Sequence, residues 1–348
     1  MATFREAREA LLYANDAGLI DDEEFILLFD INSSKNLDLT YWNDEKFDLE
    51  TISDDECKSE FRFCKNDIYA LHDVLNIPDK VRCPNRFGVD GLEALCMLLK
   101  RITYPCRYPA QFSMVVNRVM DHIYEEHGHL LSTFNQAWLA PAALAEYADV
   151  IHRKGAALDK CWGFVDGTVR PVCRPGENQR ALYNGHKRVH SIKFQSVVAP
   201  NGLMANLYGP VEGRRHDSGI LALSGLLRDL QTYSHSPNGQ PLCIYGDPAY
   251  PLWVHLQGPF KGRILTPAQM AFNKSMSEVR VAVEWVFGDI LNYFAFLDFK
   301  KTLKVGLSAV GKMYTVSALL RNVYTCLYHS STSMFFGLDP PALQDYFV

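Results

Sequence analysis

Apolar residues recur at helical spacing near both ends of this 348-residue chain and gather into short strand-like runs in its middle. Phe4, Ala7, Leu11, Leu12 and Ala14 predict an amphipathic helix within residues 1–18. Ile68, Leu71, Leu75 and Ile77 predict a second, ending before Pro78. Leu92, Leu95, Leu98 and Leu99 predict a third, in VDGLEALCMLLKRI, ending before Pro105. Two more start near Pro109 or Gln111 and near Val115, the last running through VVNRVMDHIYEEHGH. Short helices with short connections are compatible with a helix-turn-helix entering a DNA groove. They are equally compatible with a plain bundle that braces the next domain.

The pattern changes at residue 158. DKCWGFVDGTV, VHSIKFQSVVAP, LMANLYGPV and PLCIYGDPAY are apolar runs bounded by Gly, Pro and Asn, which predict strands. Ala199-Pro200-Asn201-Gly202 predicts a hairpin between the second and third. HDSGILALSGLLRDLQ reads as a helix capped by Asp217 or Ser218. RILTP follows the fourth run as a further short strand, and a long helix covers roughly Met276–Tyr293. Residues 302–330 are apolar and helical and are expected to pack back on the sheet. Three strands, a helix, two strands and a helix give a mixed α/β sheet with helices packed on it.

Composition excludes several classes. Hydrophobic residues are 48% and charged residues 22%, an ordinary globular balance, and the length predicts two or three units. No run of 18 apolar residues predicts a membrane span, and MATFREAREALL lacks the apolar region of a secretory signal. Nine scattered cysteines without a CxxC pair predict reduced thiols in an intracellular protein. His122, His127 and His129 lack the HExxH spacing and read as ordinary surface histidines. There is no GxSxG elbow and no P-loop.

The net charge of −5 hides an uneven distribution. Residues 20–60 carry −11, so the remainder is +6, and residues 150–218 alone carry +6. The acidic segment reads as a flexible arm or one that orders on a partner. The basic one suits a polyanionic substrate.

Within that basic segment lies the first of three acids in three settings. Asp166 ends the run CWGFVDGT, Asp247 ends LCIYGDPAYP, and Glu284 lies on the long helix in VRVAVEWVFG. A carboxylate at a buried strand end is costly to desolvate unless a cation or hydrogen bonds satisfy it. Three converging carboxylates would suit Mg²⁺, which prefers oxygen ligands, and would equip a site for phosphodiester chemistry. Singly, each acid has a plainer reading: a turn at Asp166-Gly167, a turn at Asp247-Pro248, and a helical ion pair of Glu284 with Arg280.

The order Asp, Asp, Glu, with FVDGTVRPVCRP, Tyr183-x-Gly185-x-Lys187, GPVEGRRHDSGIL, YGDPAYP, RVAVEWVFG and LLRNVYTCLYH, resembles the PIF/Harbinger superfamily of DDE transposases and its host-domesticated, nuclease-like relatives. The likeness covers about 160–330. It implies a ribonuclease H-like fold, preceded by an all-α helix-turn-helix-like region, with Asp166, Asp247 and Glu284 as catalytic metal ligands. Two Mg²⁺ ions, for which Mn²⁺ substitutes, would then drive DNA cleavage and strand transfer, Asp166 bridging them. The resemblance also implies a homo-oligomer on transposon ends, a separately encoded Myb/SANT-like partner, and a nuclear location reached from the cytoplasm with that partner. Gly-Asp-Pro-Ala-Tyr-Pro departs from the family's Gly-Asp-Ser-Gly-Tyr, stiffening the turn after the second acid.

Arg118, Lys187, Arg214, Arg215 and Arg280 are candidate DNA contacts. Asp217 reads as a helix cap in preference to an auxiliary acid. The expected organisation is an acidic arm (1–59), a helical region (60–150), a nuclease domain (155–330) and a C-terminal tail (331–348). The alternative function is a domesticated protein that binds DNA, chromatin or a partner without catalysis.

Overall fold

A six-stranded mixed sheet organises the second half of the chain. In this computed structural model residues 4–21, 24, 25, 28, 47–84, 87–106, 108–300 and 303–348 are described. They divide into two compact units, 1–48 and 49–348. The first unit carries helix α1 (Phe4–Asp16). Most of the acidic segment expected as an arm, residues 22, 23, 26, 27 and 29–46, lies outside the described residues. Its last part belongs to the second unit, where Leu49, Cys57 and Phe61 are buried.

The helical region comprises α2 (Asp54–Phe61), α3 (Lys65–Val74), α4 (Gly91–Thr103), α5 (Ala110–His127) and α6 (Pro141–Arg153). The two helices expected near 109 and 115 are one continuous α5. The region also contains a two-stranded antiparallel hairpin, β1 (Lys80–Arg82) with β2 (Gly88–Asp90), that the sequence pattern did not disclose. His127 is buried against Phe347, which corrects its reading as a surface residue. Burial holds its imidazole below the ordinary value. The nine cysteines are unpaired.

The sheet is built from β3 (Cys161–Pro171), β4 (Tyr183–Asn184), β5 (Val189–Val198), β6 (Met204–Glu212), β7 (Cys243–Tyr245) and β8 (Leu256–Gln257), with a short helix α7 (Gln179–Leu182) before β4. Its strand order is β4-β5-β3-β7-β8, with β6 on β5. β3, β5 and β6 are antiparallel, whereas β7 and β8 run parallel to β3. The four long runs are therefore the strands they predicted, and the 199–202 turn joins β5 to β6. RILTP is not a strand: the fifth position is held by the two-residue β8, too short to leave a periodic signal.

The predicted 217–232 helix is two, α8 (Asp217–Ser224) and α9 (Leu226–Tyr233), broken at Gly225, whose φ of 68° is left-handed. Helix α10 (Pro267–Tyr293) starts nine residues earlier than its apolar periodicity. A Thr266–Gln269 capping box and Pro267 specify that start, because its first two turns bury no apolar stripe.

Helices pack on the sheet, α6 and α10 touching β3 and α11 (Val310–Tyr328) touching β6. Residues 331–348 form α12 (Ser331–Phe336) and α13 (Leu343–Tyr346), with Tyr346 buried and bonded to Asn322. The helical region is tied to the same framework. Lys312 pairs with Asp121 at 2.6 Å, Arg62 donates to the Tyr293 carbonyl at 3.0 Å, and Tyr328 bonds Asp67. No helix among the described residues is long and apolar enough to cross a membrane.

One ion pair joins three of these elements. Arg321, fully buried on α11, meets Asp289 of α10 at 2.7 Å and donates to the Gly202 carbonyl at the β5–β6 turn. Removing one partner of a buried pair strands the other charge, at about 3–5 kcal/mol. Asp289→Ala should therefore lose about that much stability in urea melts followed by circular dichroism, and Asp289→Asn less. A loss in Asp289→Ala no larger than that of an exposed control such as Glu146→Ala would contradict this role.

Candidate active site

β3 and β7 pair in parallel at Phe164 and Tyr245. Asp166 and Asp247 each lie two residues past that pair. Asp166 continues within β3 and Asp247 follows the end of β7, so the two acids come near one another. They line one cleft of about 540 Å³ with Lys187, Lys193, Arg214, Arg215 and Asp217.

Asp166 is half-buried. Its Oδ1 accepts the Gly167 amide at 2.8 Å, and its Oδ2 accepts from Arg280 Nη1 at 3.1 Å. Burial raises its carboxyl above the ordinary carboxylate range; Arg280 and the Gly167 amide pull it down, and Asp247 pushes it up. Asp247 is fixed differently. Its Oδ1 accepts the Ala249 amide at 2.9 Å, closing a tight turn through Pro248. The departure Gly-Asp-Pro-Ala-Tyr-Pro thus keeps the acid on the cleft.

Glu284 is reached through Arg280. The guanidinium that holds Asp166 lies 3.8 Å from Glu284 Oε1, one turn along α10. Glu284 is otherwise exposed, at 61%. The helical ion pair and the link to Asp166 are both present, with Arg280 joining the two acids.

Asp217 does not cap α8. The cap position is His216, without a side-chain cap bond, and Asp217 is the first helical residue. Its Oδ1 instead takes Lys193 Nζ at 3.0 Å. Lys193 pairs across the strands with Val169, and Asp166 with Ser196. Lys193 and Asp166 therefore point to opposite faces of the sheet. Gly167 makes room for Asp217 on the Lys193 face: a Cβ there would lie 3.1 Å from Asp217 Oδ1. The cleft wraps around the end of β7 and draws on both faces.

Two residues here escaped the sequence reading. Lys193 is buried in the strand IKFQSVV, and a lysine inside an otherwise buried run was the available signal. Tyr250 is buried, its ring packed against Gly246, and its hydroxyl has no hydrogen-bond partner among the described residues. Burial, then the charges of Asp217, Asp166 and Asp247, push its phenol well up.

The basic candidates divide. Lys187, held by its amide to Asn184 Oδ1 at 2.9 Å, and exposed Arg214 stand on the cleft rim. Arg215 is there too, paired with Glu212 at 2.9 Å. Arg118 is elsewhere, on α5, in a groove with Lys80, Arg82 and His122.

Among the described residues no three His, Cys, Asp or Glu stand close enough to hold an ion by themselves. The donor chemistry nevertheless fits a hard divalent cation. Asp166 and Asp247 offer carboxylate oxygens to one cleft, and Mg²⁺ completes its shell with water and substrate phosphate.

Residues 165–322 match the family model of the DDE superfamily endonuclease. That stretch runs from β3 to α11 and contains Asp166, Asp247, Arg280 and Glu284. The match supports a transposase-like nuclease, and endonuclease domains of this kind generally depend on divalent metals. No curated protein and no solved structure matches the chain.

Because the folded protein raises the Asp166 carboxyl, ionising it there costs stability as pH rises from the ordinary carboxylate value through the raised one. In EDTA, Asp166→Asn should melt above wild type at pH 7, and the gap should close as pH falls below about 4. A variant that melts below wild type at pH 7 would show that Arg280 outweighs burial.

Proposed function

We propose that this protein is a DNA endonuclease and strand transferase of the PIF/Harbinger type, or a domesticated relative retaining that chemistry. The observation that carries the reading is the pair of carboxylates, Asp166 within β3 and Asp247 just past the end of parallel β7, lining one cleft within the segment matching a DDE endonuclease. Two Mg²⁺ ions, held by Asp166, Asp247 and Glu284, would supply Lewis-acid activation of water or a 3′-hydroxyl and stabilise the leaving oxygen.

The chain's own residues supply the rest. Lys187, Arg214 and Arg215 on the rim attract the phosphate backbone and fix its register. Lys193, tethered by Asp217, presents a partly desolvated ammonium in the cleft, where a point charge acts more strongly than in water. Arg280 holds the carboxylate of Asp166 and keeps Glu284 within reach of it. Arg118 lies in a separate basic groove, which would contact DNA flanking the cut. The reading carries with it a homo-oligomer on DNA ends, a Myb/SANT-like partner and a nuclear location.

A second reading is a domesticated protein that binds DNA without cutting it. The observation favouring it is that Arg280 already satisfies Asp166. The test is nicking of supercoiled DNA bearing the element's terminal repeats in Mg²⁺ or Mn²⁺. Wild type should nick, and Asp247→Ala should lose at least about 10³-fold. Equal nicking by both would refute the site. Tight DNA binding with no nicking by wild type would favour the second reading.

A further inference from the structure

The segment following Asp247 combines cations with exposed apolar side chains. Residues 248–277 contain no Asp or Glu, in a chain with 40, and their cations are Lys261, Arg263 and Lys274. The same segment exposes large apolar side chains: Leu252 (61%), Trp253 (45%), Val254 (65%), Phe260 (46%), Ile264 (93%) and Met270 (52%). A patch of that kind marks a binding surface more often than chance exposure.

These side chains are held outward by a built framework. On either side of Leu252–Val254, Tyr250 is buried and His255 is buried with its ring bonded to the Leu242 carbonyl at 2.8 Å. Reciprocal backbone bonds between Trp253 and Leu256, at 2.7 and 3.2 Å, close the turn. Phe260 is clamped by Asn273, which accepts its amide at 2.9 Å and donates to its carbonyl at 3.0 Å. Its ring also meets Phe272 edge-on at 5.1 Å. Exposed aromatics fixed this firmly lose little freedom when a planar group stacks on them.

The surface adjoins the carboxylates. Gly246, next to Asp247, donates its amide to the Gln257 carbonyl at 2.9 Å. A Cβ built at Gly258 would lie 3.6 Å from both the Asp247 carbonyl and Leu252 Cδ2. A strand whose phosphate lies at Asp247 would therefore pass this face within a few residues.

We propose that the exposed face of residues 251–270 binds the unpaired bases of a DNA strand opened beside the cleaved phosphate. The placement beside a cleaved phosphate rests on the nuclease reading above. Unpaired bases present apolar faces on an anionic backbone, which matches fixed aromatics and aliphatics beside Lys261 and Arg263. A duplex hides those faces in its stack. Lys261 and Arg263, both exposed, give the face a positive charge, so charge complementarity selects the nucleic acid.

The test is fluorescence anisotropy with a labelled oligothymidylate of about 20 nucleotides and a duplex of equal length, in EDTA so that nothing is cut. Trp253→Ala with Phe260→Ala should weaken single-strand binding by about tenfold or more while leaving duplex binding unchanged. Trp253→Phe should retain most of the affinity. Lys261→Ala with Arg263→Ala should lower the salt slope by about 1.4. Unchanged single-strand affinity in the aromatic variant, or a loss in Trp253→Phe as large as in Trp253→Ala, would overturn the proposal. So would a change in sedimentation without a change in binding, which would make the face a protein interface. Because the assay needs no cutting, a wild type that binds the single strand through Trp253 but never nicks would defeat the nuclease reading alone.

Discussion

The half-buried carboxylate of Asp166, in the middle of a six-stranded sheet, is the constraint on which the site depends. Desolvation works against its charge, and its surroundings offset this only in part. The Gly167 amide supplies one bond and Arg280 the other. Arg280 can do so because α10 begins at Pro267 and runs the length of the site, which also sets Glu284 one turn further on. The helix is itself fixed to the sheet's far turn through Asp289, Arg321 and Gly202. A local electrostatic problem on one strand is thus met by a helix more than a hundred residues away in sequence. This is the arrangement expected where a carboxylate is kept for chemistry and not for stability.

β3 also separates two sets of charges. Asp166 shares one face with the Arg280–Glu284 pair, Asp217 and Lys193 occupy the other, and Asp247 lies just past the end of β7. Gly167, without a side chain, is where they come nearest. Asp166 and Glu284 share Arg280 and Asp217 has Lys193, and the cleft around the end of β7 exposes both sets to one anionic substrate.

Much of the sheet was legible because its strands are buried and bounded by turn residues, so CWGFVDGTV and HSIKFQSVV announce themselves. What is too short or too exposed for periodicity was not. β8 has two residues, the β1–β2 hairpin has strands of three, and the first turns of α10 are exposed. The carboxylates were legible from their positions at run ends and from the words around them, and the register explains how Asp166 and Asp247 meet. Asp217 was misread because its residue type suits a cap, while its partner Lys193 lies 24 residues back in sequence. Tyr250 and Lys193 matter only through neighbours brought by the fold, which no local pattern encodes.

The central claim is that Asp166 and Asp247 bind a divalent cation together, and Mn²⁺ binding is its most direct measure. Free Mn²⁺ should disappear from the paramagnetic resonance spectrum as wild-type protein is added. Asp166→Asn and Asp247→Asn should each weaken that uptake by about tenfold or more, while Asp217→Asn leaves it nearly intact. Equal uptake by wild type and the Asp166 and Asp247 variants, or a loss confined to Asp217→Asn, would contradict the account.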